Sequence, residues 1–192
     1  MTMDEASVNW SEKRTAVDHL FSLTEVREKL DNEAPGVLVL DVDYTIKKHT
    51  LDPRKFGMIP SESMEILKAL KGKGWEVGFA TNQPEKGHQV AEGLGKIYPE
   101  KDYFPYAIIK EFGEGRIFGG GWDYLWNRFK KKDSSPEKVR NWVKEKLREV
   151  EGKVYFVGDL PTDVDFFDKV SLEIPRDRIG KIFKLPSSPV KI

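Results

Sequence analysis

The sequence predicts an α/β fold, a Rossmann-like three-layer α/β/α sandwich around a central parallel sheet, with a small inserted hairpin or lid. Two short runs, VLVLDV after Gly36 and VYFVGD after Lys153, are apolar almost throughout and rich in valine, as expected of strands buried on both faces of a parallel sheet. Segments with helical apolar spacing alternate with such runs, the order that lays helices over both faces of one sheet. At 192 residues the chain has the size of one domain with a substantial core, and residues 1–192 are read as one.

Taken in order, residues 11–32 place Val17, Leu20, Phe21, Val26 and Leu30 among charges at helix-like spacing. They predict one amphipathic helix, or two short ones, packed beside the first strand. Gly36 then opens that strand. After a polar stretch from Lys47 to Ile59, Pro60 and Ser61 start a helix over SESMEILKALKGKG, with Met64, Leu67 and Leu70 on one stripe and Gly72 and Gly74 as its stop. The run WEVGFATN follows as a second strand, so that strand, helix and strand form a parallel βαβ unit with a right-handed crossover. A further helix is expected from Pro84, and YAIIK at 106–110 reads as a third strand. The glycine and aromatic segment from Phe112 to Trp126 suits a hairpin or lid, which sets an insertion at 111–128. Ser134 or Ser135 caps a helix with Pro136 in its first turn and Val139, Trp142, Val143 and Leu147 on one face. VYFVGD, a short helix over DVDFFDKV and a last strand KIFKL complete the order.

Composition narrows the chemistry. Lysine plus arginine equals aspartate plus glutamate at 32 each, so net charge gives no indication of a nucleic-acid partner. Cysteine is absent, which removes thiolate nucleophiles and zinc–thiolate sites and leaves oxygen or histidine for any metal. No apolar run approaches the roughly 20 residues that span a bilayer, and MTMDEASVNWSEKR lacks the charged-then-apolar order of a signal peptide. A cytoplasmic protein without membrane attachment is the expectation.

Ligands of open parallel sheets bind beyond the carboxyl ends of the strands. Three such ends carry polar residues here: Asp41 and Asp43 after VLVL, Thr81 and Asn82 after VGFA, and Asp159 after VYFV. Each alone is an ordinary turn or cap residue. Together, Asp41, Asp43 and Asp159 would repel one another unless protons or a cation neutralised them, and all-oxygen ligands favour magnesium over zinc. Asp41 and Asp43, two apart, share a face if the backbone stays extended through Val42.

DVDYT at 41–45 resembles the DxDxT signature of haloacid dehalogenase superfamily phosphatases. Thr81 stands where that family has its second-motif threonine or serine, and GDLPTD at 158–163 is similar to its acidic fourth motif. The resemblance spans roughly residues 35–170 and implies a magnesium-dependent phosphomonoester hydrolase. It implies Asp41 as the nucleophile that becomes an aspartyl-phosphate, and Asp43 as general acid and base. It further implies magnesium held by Asp41, the Asp43 backbone carbonyl and Asp159, with Asp163 orienting water or ligands from behind. Phosphate oxygens would be held by Thr81, by amides near Asn82 and by a lysine. Lys132 is favoured for that lysine by its distance from Asp159, with Lys131, Lys130 and Lys110 as competitors. A phosphotransferase using the same intermediate and a non-catalytic metal-binding regulatory protein are the alternatives.

Only about 40 residues separate the first two motifs, too few for a large helical cap, so the pattern resembles the small-cap or capless branch. TNQ at 81–83 and GDLPTD resemble bisphosphate sugar phosphatases, histidinol phosphatases and polynucleotide 3′-phosphatases, and DVDYT also looks like minimal magnesium-dependent phosphatases. Two features depart from these groups: the cysteine and histidine zinc loop is absent, and Tyr44 replaces the more usual glycine or asparagine. A small-molecule phosphoester is the expected substrate, with Phe112, Phe118, Trp122, Tyr124 and Trp126 available either to stack on a base or sugar or to close a small apolar core. His49 and His88 flank the motif loops and are given no role.

Overall fold

The computed structural model describes residues 15–47, 55, 57–120 and 136–187. They form a six-stranded, all-parallel sheet with helices on both faces, the Rossmann-like α/β architecture. In chain order the elements are β1 (Val17–His19), α1 (Leu23–Leu30), β2 (Val37–Asp41), α2 (Ser61–Gly72), β3 (Glu76–Pro84), α3 (Glu85–Ile97), α4 (Tyr106–Phe112), β4 (Ile117–Gly120), α5 (Pro136–Lys146), β5 (Val154–Gly158), α6 (Pro161–Ser171) and β6 (Ile179–Lys184). The strands lie in the order β1-β6-β5-β2-β3-β4, so β2 is central, between β5 and β3.

Side-chain alternation divides the core into two layers. Leu38 and Leu40 of β2, with Val77, Phe79 and Val157, face Val26 and Leu30 of α1, Leu67 and Leu70 of α2 and Ile108 of α4. Val37 and Val39, with Val154 and Phe156, face Val139, Trp142 and Val143 of α5 and Phe167 and Val170 of α6. Every residue from Val37 to Leu40 is fully buried, and each such side chain stabilises the fold by about 1.5–3 kcal/mol relative to exposure. Glycines set the spacing where elements cross closely. A methyl on Gly78 would lie 2.7 Å from the Trp142 ring, and one on Gly36 would lie 2.1 Å from the Lys153 carbonyl oxygen. α5 therefore seats directly on β3, and β2 and β5 start side by side.

Three elements differ from the sequence expectation. Of the described residues of 11–32, only Leu23–Leu30 are helical, capped by Ser22, whose hydroxyl accepts the Glu25 N–H. Val17–His19 instead forms an edge strand pairing with Ile182–Lys184, because an unpaired edge far along the chain offers it a complete ladder. The segment 106–110 is not a strand: α4 runs from Tyr106 to Phe112, burying Ala107, Ile108 and Phe112. Ile108 and Phe112 are four apart and share a helical face, and Gly113, at φ 86, ends the helix. Within the expected insertion at 111–128, Ile117–Gly120 joins the sheet as edge strand β4, beside β3. Phe112 packs edge-on to Phe79 and Phe118 against Trp142, so these two aromatics belong to the core. Residues 121–128 of that insertion, with Trp122, Tyr124 and Trp126, and the capping Ser134 or Ser135, lie outside the described residues.

Candidate active site

The register of the central strands assembles the site. Leu40 pairs with Val157 and Asp41 with Ala80, so the next residues along β5 and β3 bring Asp159 and Thr81 level with the end of β2. Asp41 has the parity of Val37 and Val39 and emerges on the α5 and α6 side of the sheet. Beyond β5 the chain turns at Leu160 and enters α6 through Pro161, a first-turn position that needs no amide hydrogen bond. Asp163, in the third helical position, reaches back so that its Oδ2 accepts the N–H groups of Asp159 (3.1 Å) and Leu160 (2.8 Å). That is the carboxylate half of a capping box, and it folds Asp163 over Gly158 beside Asp159. Gly158 leaves the room required: a methyl there would lie 2.7 Å from the Asp163 Cβ.

Carboxylate oxygens of Asp41, Asp159 and Asp163 lie within 4.8 Å of one another, and the Asp159 and Asp163 side chains are buried. The converging trio thus differs from the expected set, with Asp163 inside the cluster rather than behind it. The Asp43 carboxylate takes a different partner: its Oδ1 is 3.0 Å from the Lys47 Nζ. Asp43 remains close enough for its charge to raise the proton affinities of both Asp41 and Asp159.

The cluster is electrostatically costly as it stands. Burial, then the charges of Asp163, Asp43 and Asp159, push the Asp41 carboxyl well above the usual carboxylate range, although the Val42 N–H partly opposes them. Burial first, and the Asp163 charge second, raise Asp159 to about 6. Asp163 is also raised by burial, with the N–H groups of Leu160 and Asp159 and the charge of Lys184 pulling the other way. Asp159 is 1% exposed and its Oδ2 is buried without a hydrogen-bond partner. A buried acceptor left unpaired in an anionic pocket costs stability unless a cation or proton meets it.

The other expected site residues divide into two groups. Thr81 is buried at 4% exposure in β3 at the mouth of the site, and Asn82 follows it in the same strand. Lys130, Lys131, Lys132 and His49 lie outside the described residues. Lys110 is not at a strand end, because its segment is helical; it lies in the last turn of α4, beside Met64, Lys68 and Lys101. The His88 ring lies edge-on to Phe104 and against Gly119, a packing position.

Three residues of the site have no such expectation behind them. Thr45 is buried and its hydroxyl donates to Asp41 Oδ2 at 3.4 Å. Lys47 is buried against Asp43. Lys184 ends β6 opposite Gly158, where its charge reaches Asp163. The threonine in DVDYT, four residues after Asp41, carried a local signal. The two lysines carried none, since their places depend on a loop closing and on strand order. Tyr44 adopts φ 60, the left-handed region in which glycine or asparagine is at ease, so this tyrosine occupies a position shaped for a smaller residue.

Three converging carboxylates, one with an orphaned buried oxygen, fit a hard divalent cation, and the donor set is oxygen throughout. Searches of protein-family models, curated proteins and solved structures returned no match to this chain. Among the described residues no helix is long and apolar enough to cross a membrane.

Proposed function

We propose that the protein is a magnesium-dependent phosphomonoester hydrolase that works through an aspartyl-phosphate on Asp41. The observation that carries this reading is the convergence of Asp41, Asp159 and Asp163 at the carboxyl ends of central strands, with a further carboxylate, Asp43, two residues past Asp41. The order of the motifs, similar to that of haloacid dehalogenase superfamily phosphatases, supports it.

Asp41, Asp159 and Asp163 would hold magnesium, which when bound keeps the carboxylates ionised and offsets charge on the phosphoryl group. Thr45 holds one oxygen of Asp41 by its hydroxyl, fixing the rotamer of the nucleophile. An Asp41 oxygen attacks phosphorus while the bond from phosphorus to the ester oxygen breaks, and Asp43 gives that oxygen its proton. Asp43, now ionised, takes a proton from water as the water oxygen attacks the same phosphorus. The acyl phosphate bond breaks, inorganic phosphate leaves and Asp41 is restored. Thr81, buried at the end of β3 beside the site, would donate to a phosphate oxygen.

Purified protein incubated with an aryl phosphate is expected to turn over with magnesium and to lose turnover with chelator. Asp41→Asn should lower kcat by at least about 10³-fold, since no other route to the covalent intermediate exists. Activity that survives both chelation and Asp41→Asn refutes the mechanism.

A further inference from the structure

Three converging carboxylates attract positive charge with or without a metal ion, and the sheet itself delivers one. Lys184 is the last residue of β6 and lies in register with Gly158 of β5. Its backbone is tied on both sides: the Leu185 N–H donates to the Gly158 carbonyl oxygen at 2.8 Å, and the Lys184 carbonyl oxygen accepts the Leu20 N–H at 3.0 Å. Strand alternation sets the face on which its side chain emerges. Ile182 belongs to the layer under α5 and α6, whereas Phe183 and Leu185 are buried in the opposite layer. Lys184 therefore emerges on the α6 side, the same side as Asp41. There Gly158 has no side chain and Asp163 occupies the space, its Cβ only 2.7 Å from where a methyl on Gly158 would lie. Lys184 is thus the neighbour of Asp163 across that glycine, partly buried, and its charge favours the ionised Asp163 carboxylate. It is no ligand, since an ammonium offers donors and no lone pair.

We infer that Lys184 sets how tightly the cluster of Asp41, Asp159 and Asp163 holds its divalent cation, as a built-in counter-charge beside which the ion has to bind. This role rests on the magnesium site of the phosphatase reading above. A fixed positive charge next to Asp163 stabilises the fold most while the three carboxylates have no ion among them. Once a doubly charged ion sits there, the attraction is largely cancelled and the ion and the ammonium repel. Lys184 thereby keeps the cluster folded before loading and lowers its affinity for the ion.

The test measures magnesium binding to the full chain by titration calorimetry near pH 7.5 at low salt. Lys184→Met is expected to bind magnesium about 3–10-fold more tightly than wild type, the effect of one unit charge a side chain's length from a divalent ion in a hydrated cleft. Lys184→Arg keeps the charge and should keep the wild-type affinity. The ratio between Lys184→Met and wild type should narrow in about 0.5 M potassium chloride, because salt screens such charges. In thermal melts Lys184→Met should lie below wild type in chelator, with the gap shrinking as magnesium saturates both. Should Lys184→Met fail to fold, Lys184→Gln carries the same comparison. Unchanged affinity would overturn the inference, as for any surface lysine, and so would weaker affinity, which marks a lysine that aims Asp163 at the ion. A wild-type chain that binds no magnesium overturns the metal site and the role of Lys184 with it. A chain that binds magnesium but hydrolyses no phosphoester overturns the phosphatase reading alone, and the binding comparison still decides the role of Lys184.

Discussion

Asp159→Asn separates the cost of the carboxylate cluster from its use. In the folded chain Asp159 holds its proton up to about pH 6, against 3.8 for the ordinary side chain. A group whose folded pKa is raised destabilises the fold once pH exceeds that value, and a difference of about two units corresponds to roughly 3 kcal/mol at most. Allowing for water and counter-ions at the cleft, relief of about 1–3 kcal/mol is expected at pH 7.5 when asparagine removes the charge and keeps the shape. For a chain of this size each kcal/mol moves Tm by roughly 2–4 °C, so the variant in chelator should melt about 2–12 °C above wild type. Magnesium reverses the order. At a hundred times its dissociation constant a ligand stabilises the fold by about 2.7 kcal/mol, and only the wild type keeps the full ligand set. Thermal melts of both proteins, in chelator and across a magnesium titration, should therefore cross. A variant less stable than wild type in chelator refutes the electrostatic account, and a wild-type Tm indifferent to magnesium, manganese and calcium alike refutes the cation site.

The raised Asp159 carboxyl contributes to the pH dependence of the metal-free protein. The unfolded chain releases its proton near pH 3.8 and the folded chain near 6, so the stability from Asp159 is full below about 4 and declines up to about 6. Melts in chelator between pH 4 and 6.5 should show Tm falling in that window and magnesium flattening the upper part of the fall; a Tm that rises throughout would contradict the sign. Gly158→Ala puts a methyl 2.9 Å from Asp163 Oδ2 and should push that carboxylate off its two amides, costing about 1–3 kcal/mol and weakening the magnesium-induced Tm shift; an unchanged shift would show that Asp163 is not held by this contact. At Tyr44 the left-handed backbone predicts that Tyr44→Gly stays within about 1 kcal/mol of wild type in denaturant melts while Tyr44→Val loses about 1–2 kcal/mol, and equal effects would remove the case for backbone strain.

What could be read in advance follows from how local each cause is. β2 and β5 are legible because burial on both faces demands an unbroken apolar run, and Asp41 and Asp159, at and just beyond their ends, are legible because carboxylates recurring at neighbouring strand ends are harder to explain as turn residues than any one alone. Val17–His19 is not legible, since three residues form a strand only because β6, more than 160 positions later, lies open beside them. YAIIK misleads because four apolar residues are too few to show a period, and only the burial of Ile108 and Phe112 together reveals the helix.

The site follows the same rule at finer scale. Asp41, Asp43, Thr81 and Asp159 announce themselves by position, whereas Lys47 and Lys184 look like two more charges in a chain one third charged. Asp163 shows why the distinction is physical. The motif resemblance set it behind the metal, whereas in the fold it caps α6, and the cap, by bending the side chain back over Gly158, delivers a third carboxylate to the cluster. The bonds that satisfy the start of α6 thus concentrate negative charge around the buried, unpaired oxygen of Asp159. Capping gives Asp163 a structural reason to be there, but stability alone gives none for setting the buried carboxylates of Asp41 and Asp159 beside it. A cation bound there would supply one, because it would neutralise the charge that burial and crowding make costly.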